Sequence, residues 1–293
     1  MERGPAAGAA VPQDAVRRGA APGVALVLLA VVPVQLGAAF AVELFDELGA
    51  AGAAFARLAF AALILVAWWR PTLRGRPAGA VRVAIVFGLV LGAMNLCIYE
   101  SMDRIPLGVA VTFEFIGPLG LAVALSRKPL DLLWVSLAAL GILGLADYSG
   151  GSLDLVGVGF ALAAGALWAG YIVLSQRTGA LFPGGSGLAV AMVAGAVLVA
   201  PFGIADAGSE LLRPELLGAM LVVAVASSVL PYSIELEALR RLPQRVFGVL
   251  MSLDPAVAAL AGLVVLGQHL ALRDWIAICL VVIACAGAST LDE

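Results

Sequence analysis

The chain has 293 residues, of which 62% are hydrophobic and only 13% charged, and its mean hydropathy is +1.07. A soluble domain of this length averages nearer half apolar and a quarter charged, so the composition excludes an ordinary water-soluble protein and points to a polytopic membrane protein. The net charge of −3 is scattered over short loops and by itself says nothing about nucleic acid; no nucleic-acid partner is expected.

A helix needs about 20 apolar residues to cross a bilayer core. By that measure hydropathy predicts ten spans, roughly at Gly23–Val42, Ala51–Trp69, Arg82–Ser101, Leu107–Ser126, Leu132–Tyr148, Leu155–Gln176, Gly187–Ile204, Glu215–Leu239, Val246–Leu266 and Leu270–Thr290. The segment before the first span, rich in Ala, Gly and Pro and carrying Arg17 and Arg18, reads as a disordered cytoplasmic N-terminus over residues 1–22. The arginine pair resembles the start of a signal peptide, but with so many later spans an uncleaved first helix is expected. The connections are short, and none leaves room for a soluble domain. Cys97, Cys279 and Cys285 all lie in apolar runs without metal or redox spacing, and read as small core hydrophobes.

With a cytoplasmic N-terminus, the inner segments collect Arg17, Arg18, Arg70, Arg74, Arg76, Arg82, Arg127, Lys128, Arg177, Arg240, Arg241 and Arg245. The outer segments keep only Arg104, Arg213 and Arg273, among many acids. The positive-inside rule then places both termini in the cytoplasm. Five spans per half is an odd number, so the second half is inserted upside down. The predicted fold class is an all-α membrane protein of ten transmembrane helices in two inverted five-helix repeats, residues 23–148 and 155–290.

One stretch is written twice. Met94 to Pro118 falls without a gap on Pro231 to Pro255, which matches Pro106 with Pro243, Glu100 with Glu237, Pro118 with Pro255, and Gly117 with Asp254. Proline inside a helix lacks the N–H that would bond the carbonyl four residues back. Pro118 therefore frees the carbonyl of Glu114, Pro231 that of Ser227, and Pro255 that of Met251. In a bilayer such helix breaks persist where they face protein or a watery cavity. Glu114 and Asp254 each lie about eight residues in from opposite faces, so at ~1.5 Å per residue both reach ~12 Å, near the midplane.

Acidic residues at that depth are rare and usually face the interior, either as structural carboxyls or as proton relays. Arg57 lies at a depth similar to Glu114. The two together fit the ends of an amino acid zwitterion, and equally fit an ion pair with each other. Ser228, Tyr232 and Glu235 share one face of a helix, as do Trp168, Tyr171 and Ser175, and as do Asn95 and Tyr99. Aromatic residues with polar tips line cavities for small polar ligands, although singly each also serves as packing between helices. Glu100 is expected to pair with Arg104, and Glu237 with Arg240 or Arg241. Gly88 and Gly92 read as close packing within the bundle, and His269 as a solvated residue in an outer turn. No HExxH, GxSxG or phosphate-cradling glycine loop occurs. Neither enzyme chemistry nor a metal or cofactor site is expected.

These residues resemble the drug/metabolite transporter superfamily, with two EamA-type repeats. The likeness rests on Arg57-Leu58-Ala59, Ile105-Pro106-Leu107-Gly108, Glu114-Phe115, Gly117-Pro118-Leu119, Trp168-Ala169, Tyr171-Ile172, Leu230-Pro231-Tyr232-Ser233, Leu242-Pro243 and Pro255-Ala256. Within the superfamily the text is most similar to bacterial inner-membrane exporters of threonine and homoserine. Two departures stand out: Gly267-Gln268 where the family writes Gly-Glu, and Asp254 where those exporters have a longer acid. The resemblance implies export of small neutral amino acids from the bacterial cytoplasm, driven by protons or by the substrate gradient. Its alternative is a multidrug or other metabolite exporter of the same fold. The partners expected are the substrate amino acid, protons and the lipid bilayer.

Overall fold

The computed structural model describes residues 30–125, 131–146, 153–241 and 251–290. Among these residues the regular structure is helical, with no strand. The expected disordered N-terminus, residues 1–22, lies outside them. In chain order the helices begin with α1 Ala30–Val42, α2 Phe45–Trp69, α3 Ala78–Met102, α4 Leu107–Glu114, α5 Ile116–Leu125 and α6 Asp131–Ala146. They continue with α7 Leu155–Leu181, α8 Ser186–Ala207, α9 Pro214–Ala224, α10 Leu230–Arg241, α11 Asp254–Leu266 and α12 Leu272–Thr290. Among the described residues, five stretches are long and apolar enough to cross a membrane: Phe45–Trp69, Ala78–Met102, Leu155–Leu181, Ser186–Leu212 and Pro214–Glu237.

Small residues decide how these helices meet. In lipid, burying an apolar side chain between helices gains little over leaving it among acyl chains, so association depends on close packing. A Cβ on Gly92 would sit 2.7 Å from the Gly195 Cα, and Gly88 meets the Ala191 backbone, so α3 and α8 touch main chain to main chain. Gly108 of α4 lies as tightly on Ala259 of α11, and Gly141 of α6 on Ala277 of α12. Many large apolar side chains are also found on the outside, with Leu63, Leu143 and Val197 each about two-thirds exposed, beside others such as Phe87, Leu58 and Leu91 that are buried. An apolar exterior of that kind is what a bilayer solvent favours.

Helix α2 begins before the predicted Ala51. The chain is already helical at Phe45, and Gly49 turns it with φ 68°, a conformation open to glycine. Asp206, at the end of α8, supplies the acceptor for the restarted helix, taking N–H bonds from Ala51 at 3.0 Å and Gly52 at 3.4 Å. At the far end of α2, Trp69 packs on Gly184 and Gly185 in the turn between α7 and α8. Arg76 closes the same turn, donating to the Leu181 carbonyl at 3.2 Å with its guanidinium 5.0 Å from the Phe182 ring centre. Arg104 pairs with Glu100 at 2.8 Å. The side chains of Arg240 and Arg241, expected partners of Glu237, lie outside the described residues. His269 is exposed.

Three of the predicted spans change character where proline enters. The segment from Pro214 to Arg241 passes through a π turn at Val225–Val229, in which the Leu230 N–H reaches the Val225 carbonyl. Pro231 follows directly. The predicted fourth span divides at Phe115 into α4 and α5, three residues before Pro118. Pro255 sits in the first turn of α11, after a two-residue interruption at Ser252 and Leu253.

Candidate functional site

The π turn and the two interruptions converge on one cavity of about 70 Å³, room for several water molecules. Glu114 enters from the last residue of α4, buried to 8% exposure, and Asp254 from the first residue of α11, at 3%. Glu235 of α10, Arg57 of α2, Asn95 and Tyr99 of α3, Trp168 of α7 and Tyr232 of α10 add to its polar and aromatic wall.

The carbonyl of Glu114, which Pro118 cannot bond, has a definite neighbour. It lies against Gly165 of α7, where no side chain stands in the way, and Gly117 packs on the Gly165 carbonyl in turn. The break is thus covered by protein main chain rather than left to face the bilayer. The same crossing fixes the height of Glu114. Phe115 meets Trp168 edge-on at 4.7 Å between ring centres, which ties the break to the cavity wall.

Arg57 does not bond to Glu114. Its Nη1 donates to Ser227 Oγ at 3.3 Å, its guanidinium lies 4.6 Å from the Tyr99 ring centre, and its Nε has no partner. Stacking on an aromatic face holds the cation without neutralising it. Asp254 faces Gln35 of α1 and leaves Oδ1 unbonded. Glu235 accepts a hydrogen bond from the Tyr171 hydroxyl at 3.2 Å. Asn95 and the Tyr232 hydroxyl exchange contacts of 3.3 Å, with the Asn95 amide also donating to the Leu91 carbonyl at 2.8 Å.

Two candidates stand apart from the cavity wall. Tyr171 is buried behind Glu235 rather than lining the space, and its ring contacts Phe87 and Tyr232. Ser228 is buried but turned away, and Ser227 lines the cavity in its place. The π turn is the physical reason. It adds a residue to one turn, so the residue sharing a face with Tyr232 lies five positions back rather than four. Gln35 and Ser227 also line the cavity and were missed by sequence reasoning. Ser227 had a signal, since Pro231 leaves its carbonyl without a helical donor. Gln35 had one too, as a lone amide in the first apolar span.

Gln268, in the turn after α11, reaches across to the other end of α4. Its Oε1 accepts the Leu107 N–H at 3.0 Å, satisfying a first-turn donor that Pro106 cannot cap with a side chain. Among the described residues no cluster of His, Cys, Asp and Glu is arranged to hold a metal ion.

The chain is 43% identical over 269 residues to the threonine/homoserine exporter RhtA of Salmonella typhimurium LT2, covering 90% of each chain. Its similarity to RhtA of Escherichia coli K12 is 41% over 271 residues, 91% of this chain and 90% of that one. The EamA-like transporter family matches residues 155–290. This chain belongs to the EamA-like transporter family, within the drug/metabolite transporter superfamily. It is therefore a membrane transporter and not an enzyme. A crystal structure of a protein 18% identical covers 92% of the chain and 97% of its own, with a TM-score of 0.62, and shows the same fold.

Proposed function

We propose that this EamA-type transporter exports small neutral amino acids of the threonine or homoserine kind from the bacterial cytoplasm, coupled to protons. The observation that carries the reading is the charge arrangement of the cavity. One guanidinium, Arg57, shares the space with Glu114, Glu235 and Asp254, yet is bonded to none of them. A zwitterion fits that asymmetry, with its carboxylate on the forked donors of Arg57 and its ammonium among the acids. Asn95 and the Tyr232 hydroxyl offer a donor and an acceptor to a substrate hydroxyl. The identity to the two RhtA exporters supports the same substrate class.

In this reading ten spans form two inverted repeats, residues 23–148 and 155–290, in the inner membrane with both termini cytoplasmic. The packing supports it. Helices at equivalent places in the two halves lie on one another: α2 on α8, α4 on α11 and α6 on α12. The contact between α3 and α7 has its counterpart where Gly37 of α1 meets Ser227 of the π turn. Glu114 and Asp254 then reach the midplane from opposite faces, and rocking of the halves alternates access to them.

A multidrug or metabolite exporter is the second reading, favoured by Met94, Met102 and Met251 around the cavity, since methionines let a pocket adapt to several shapes. Inside-out vesicles loaded with this protein separate the two. Threonine accumulation that rises with an imposed proton gradient, without competition by a hydrophobic cationic dye, is expected. Dye transport that threonine does not inhibit would favour the second reading.

A further inference from the structure

We propose that α7 carries a proton route separate from the substrate cavity, running from Glu235 through Tyr171 and Ser175 to Thr178 at the turn between α7 and α8. The proposal rests on the exporter reading above and names the carboxyl and the path that its proton coupling would use.

Tyr171, Ser175 and Thr178 lie on one face of α7 at i, i+4 and i+7, a climb of about 10 Å. All three are buried, at 3%, 3% and 2% exposure. The Tyr171 hydroxyl bonds the carboxylate of Glu235 at 3.2 Å and faces Ser175 on its other side. Beyond Ser175 lies a second, small cavity of about 10 Å³, at the lower limit for one water molecule. Ser175 and Thr178 form its polar wall, with Gly179, Gly184 and Gly187, and it also touches Leu236, the neighbour of Glu235.

Thr178 is the telling residue. Buried hydroxyls in apolar helices usually bond the carbonyl one turn back. Thr112 does so to Gly108 at 2.6 Å, and Ser227 to Val223 at 2.7 Å. The Thr178 hydroxyl has no partner; Ser101 and Ser228 also lack one, but of the three Thr178 alone lines the small cavity. A buried hydroxyl left unbonded is costly, and a cavity of this size beside it has room for one water to bond it. The route ends under the lid formed by Phe182, Trp69 and Arg76, on the face to which the arginine distribution assigns the cytoplasm.

The relay balances in hydroxyl steps. Once Glu235 has taken a proton from the cavity, its carboxyl O–H turns to donate to the Tyr171 oxygen instead of accepting from it. Tyr171 then passes its own proton to Ser175, Ser175 hands one through water to Thr178, and Thr178 releases one to water on the cytoplasmic side. Each hydroxyl gains one proton and loses one. Among the described residues, the titratable groups facing Glu235 are Tyr171 on α7, Tyr232 on its own helix and Asp254 on α11. Glu114 and Arg57 stand across the cavity.

The test uses proteoliposomes of the full chain, with threonine counterflow measured beside proton-driven threonine accumulation. Counterflow needs only the substrate path, whereas accumulation needs the proton path as well. Thr178→Val is expected to keep counterflow and to lose accumulation by about a hundredfold, the lower end for a positioned proton-transfer group. Thr178→Ser should restore it. Wild-type accumulation in Thr178→Val overturns the route, and so does loss of counterflow and accumulation together, which would make Thr178 structural. Counterflow by the wild-type protein without proton-driven accumulation overturns the route and the proton coupling, and leaves the amino acid exporter standing. No counterflow at all by the wild-type protein overturns both.

Discussion

Gly165→Ala tests the crossing of α4 over α7, on which the height of Glu114 depends. The added methyl would run into the Glu114 carbonyl oxygen and lie 3.2 Å from the Gly117 nitrogen. Both obstacles are backbone, so no rotamer change relieves them and the helices must part. Alanine improves helix propensity by about 1 kcal/mol, and overpacking costs about 1–3 kcal/mol, with a main-chain obstacle at the upper end. The net loss is about 2 kcal/mol. Gly170→Ala, on the same helix, is the control, because its methyl meets only Val90 Cγ1 at 3.5 Å, an ordinary contact. That variant should keep the gain of about 1 kcal/mol. Melting in detergent is expected to place Gly165→Ala below wild type and Gly170→Ala at or above it. Transport should fall only in Gly165→Ala, since parting the helices displaces Glu114 from the cavity wall. Equal melting of the two variants, with wild-type transport in both, would refute the covered break.

Glu114→Gln keeps the shape and removes the charge; it should insert normally, a neutral amide being cheaper to bury, and should lose most proton-dependent export between pH 6 and 8, measured in vesicles. Arg57→Lys retains the cation but not the fork or the stacking over Tyr99, so the KM for counterflow should rise by about tenfold, the equivalent of 1–2 kcal/mol, with little change in melting. For topology, cysteines at positions 74 and 46 should react with an impermeant reagent from opposite sides of the membrane; reaction from one side would refute the orientation.

Much of the site was legible because it is written in residues that a bilayer penalises. Glu114, Asp254, Glu235 and Arg57 are rare in apolar runs, and only an interior position makes them tolerable. Their convergence on one cavity needed coordinates, since hydropathy gives depth and not rotation about the helix axis. Rotation is where the reading slipped. The period of 3.6 residues put Ser228 on the face of Tyr232, and the π turn moved that place to Ser227. The start of α2 slipped for a related reason. Its acceptor is Asp206, 155 residues away from Ala51, which no local capping pattern can announce. Packing seams were easier to foresee, as the pairing of Gly88 and Gly92 with α8 shows, because small residues spaced by a turn have few other uses in lipid.

Gln268 has a consequence for how this protein responds to its surroundings. The bond from the Leu107 N–H to its amide oxygen clasps the turn after α11 onto the head of α4. A glutamate in that place would hold the same N–H with a charge that acid removes. The amide has no charge to lose, so the clasp keeps its strength in acidic and neutral media alike. It neither takes up nor releases a proton when it opens. Asp274, just beyond the same turn, takes the Ala271 N–H at 3.0 Å with a carboxylate, so the clasp onto α4 and its neighbour answer acid differently: the first is indifferent to it and the second is not.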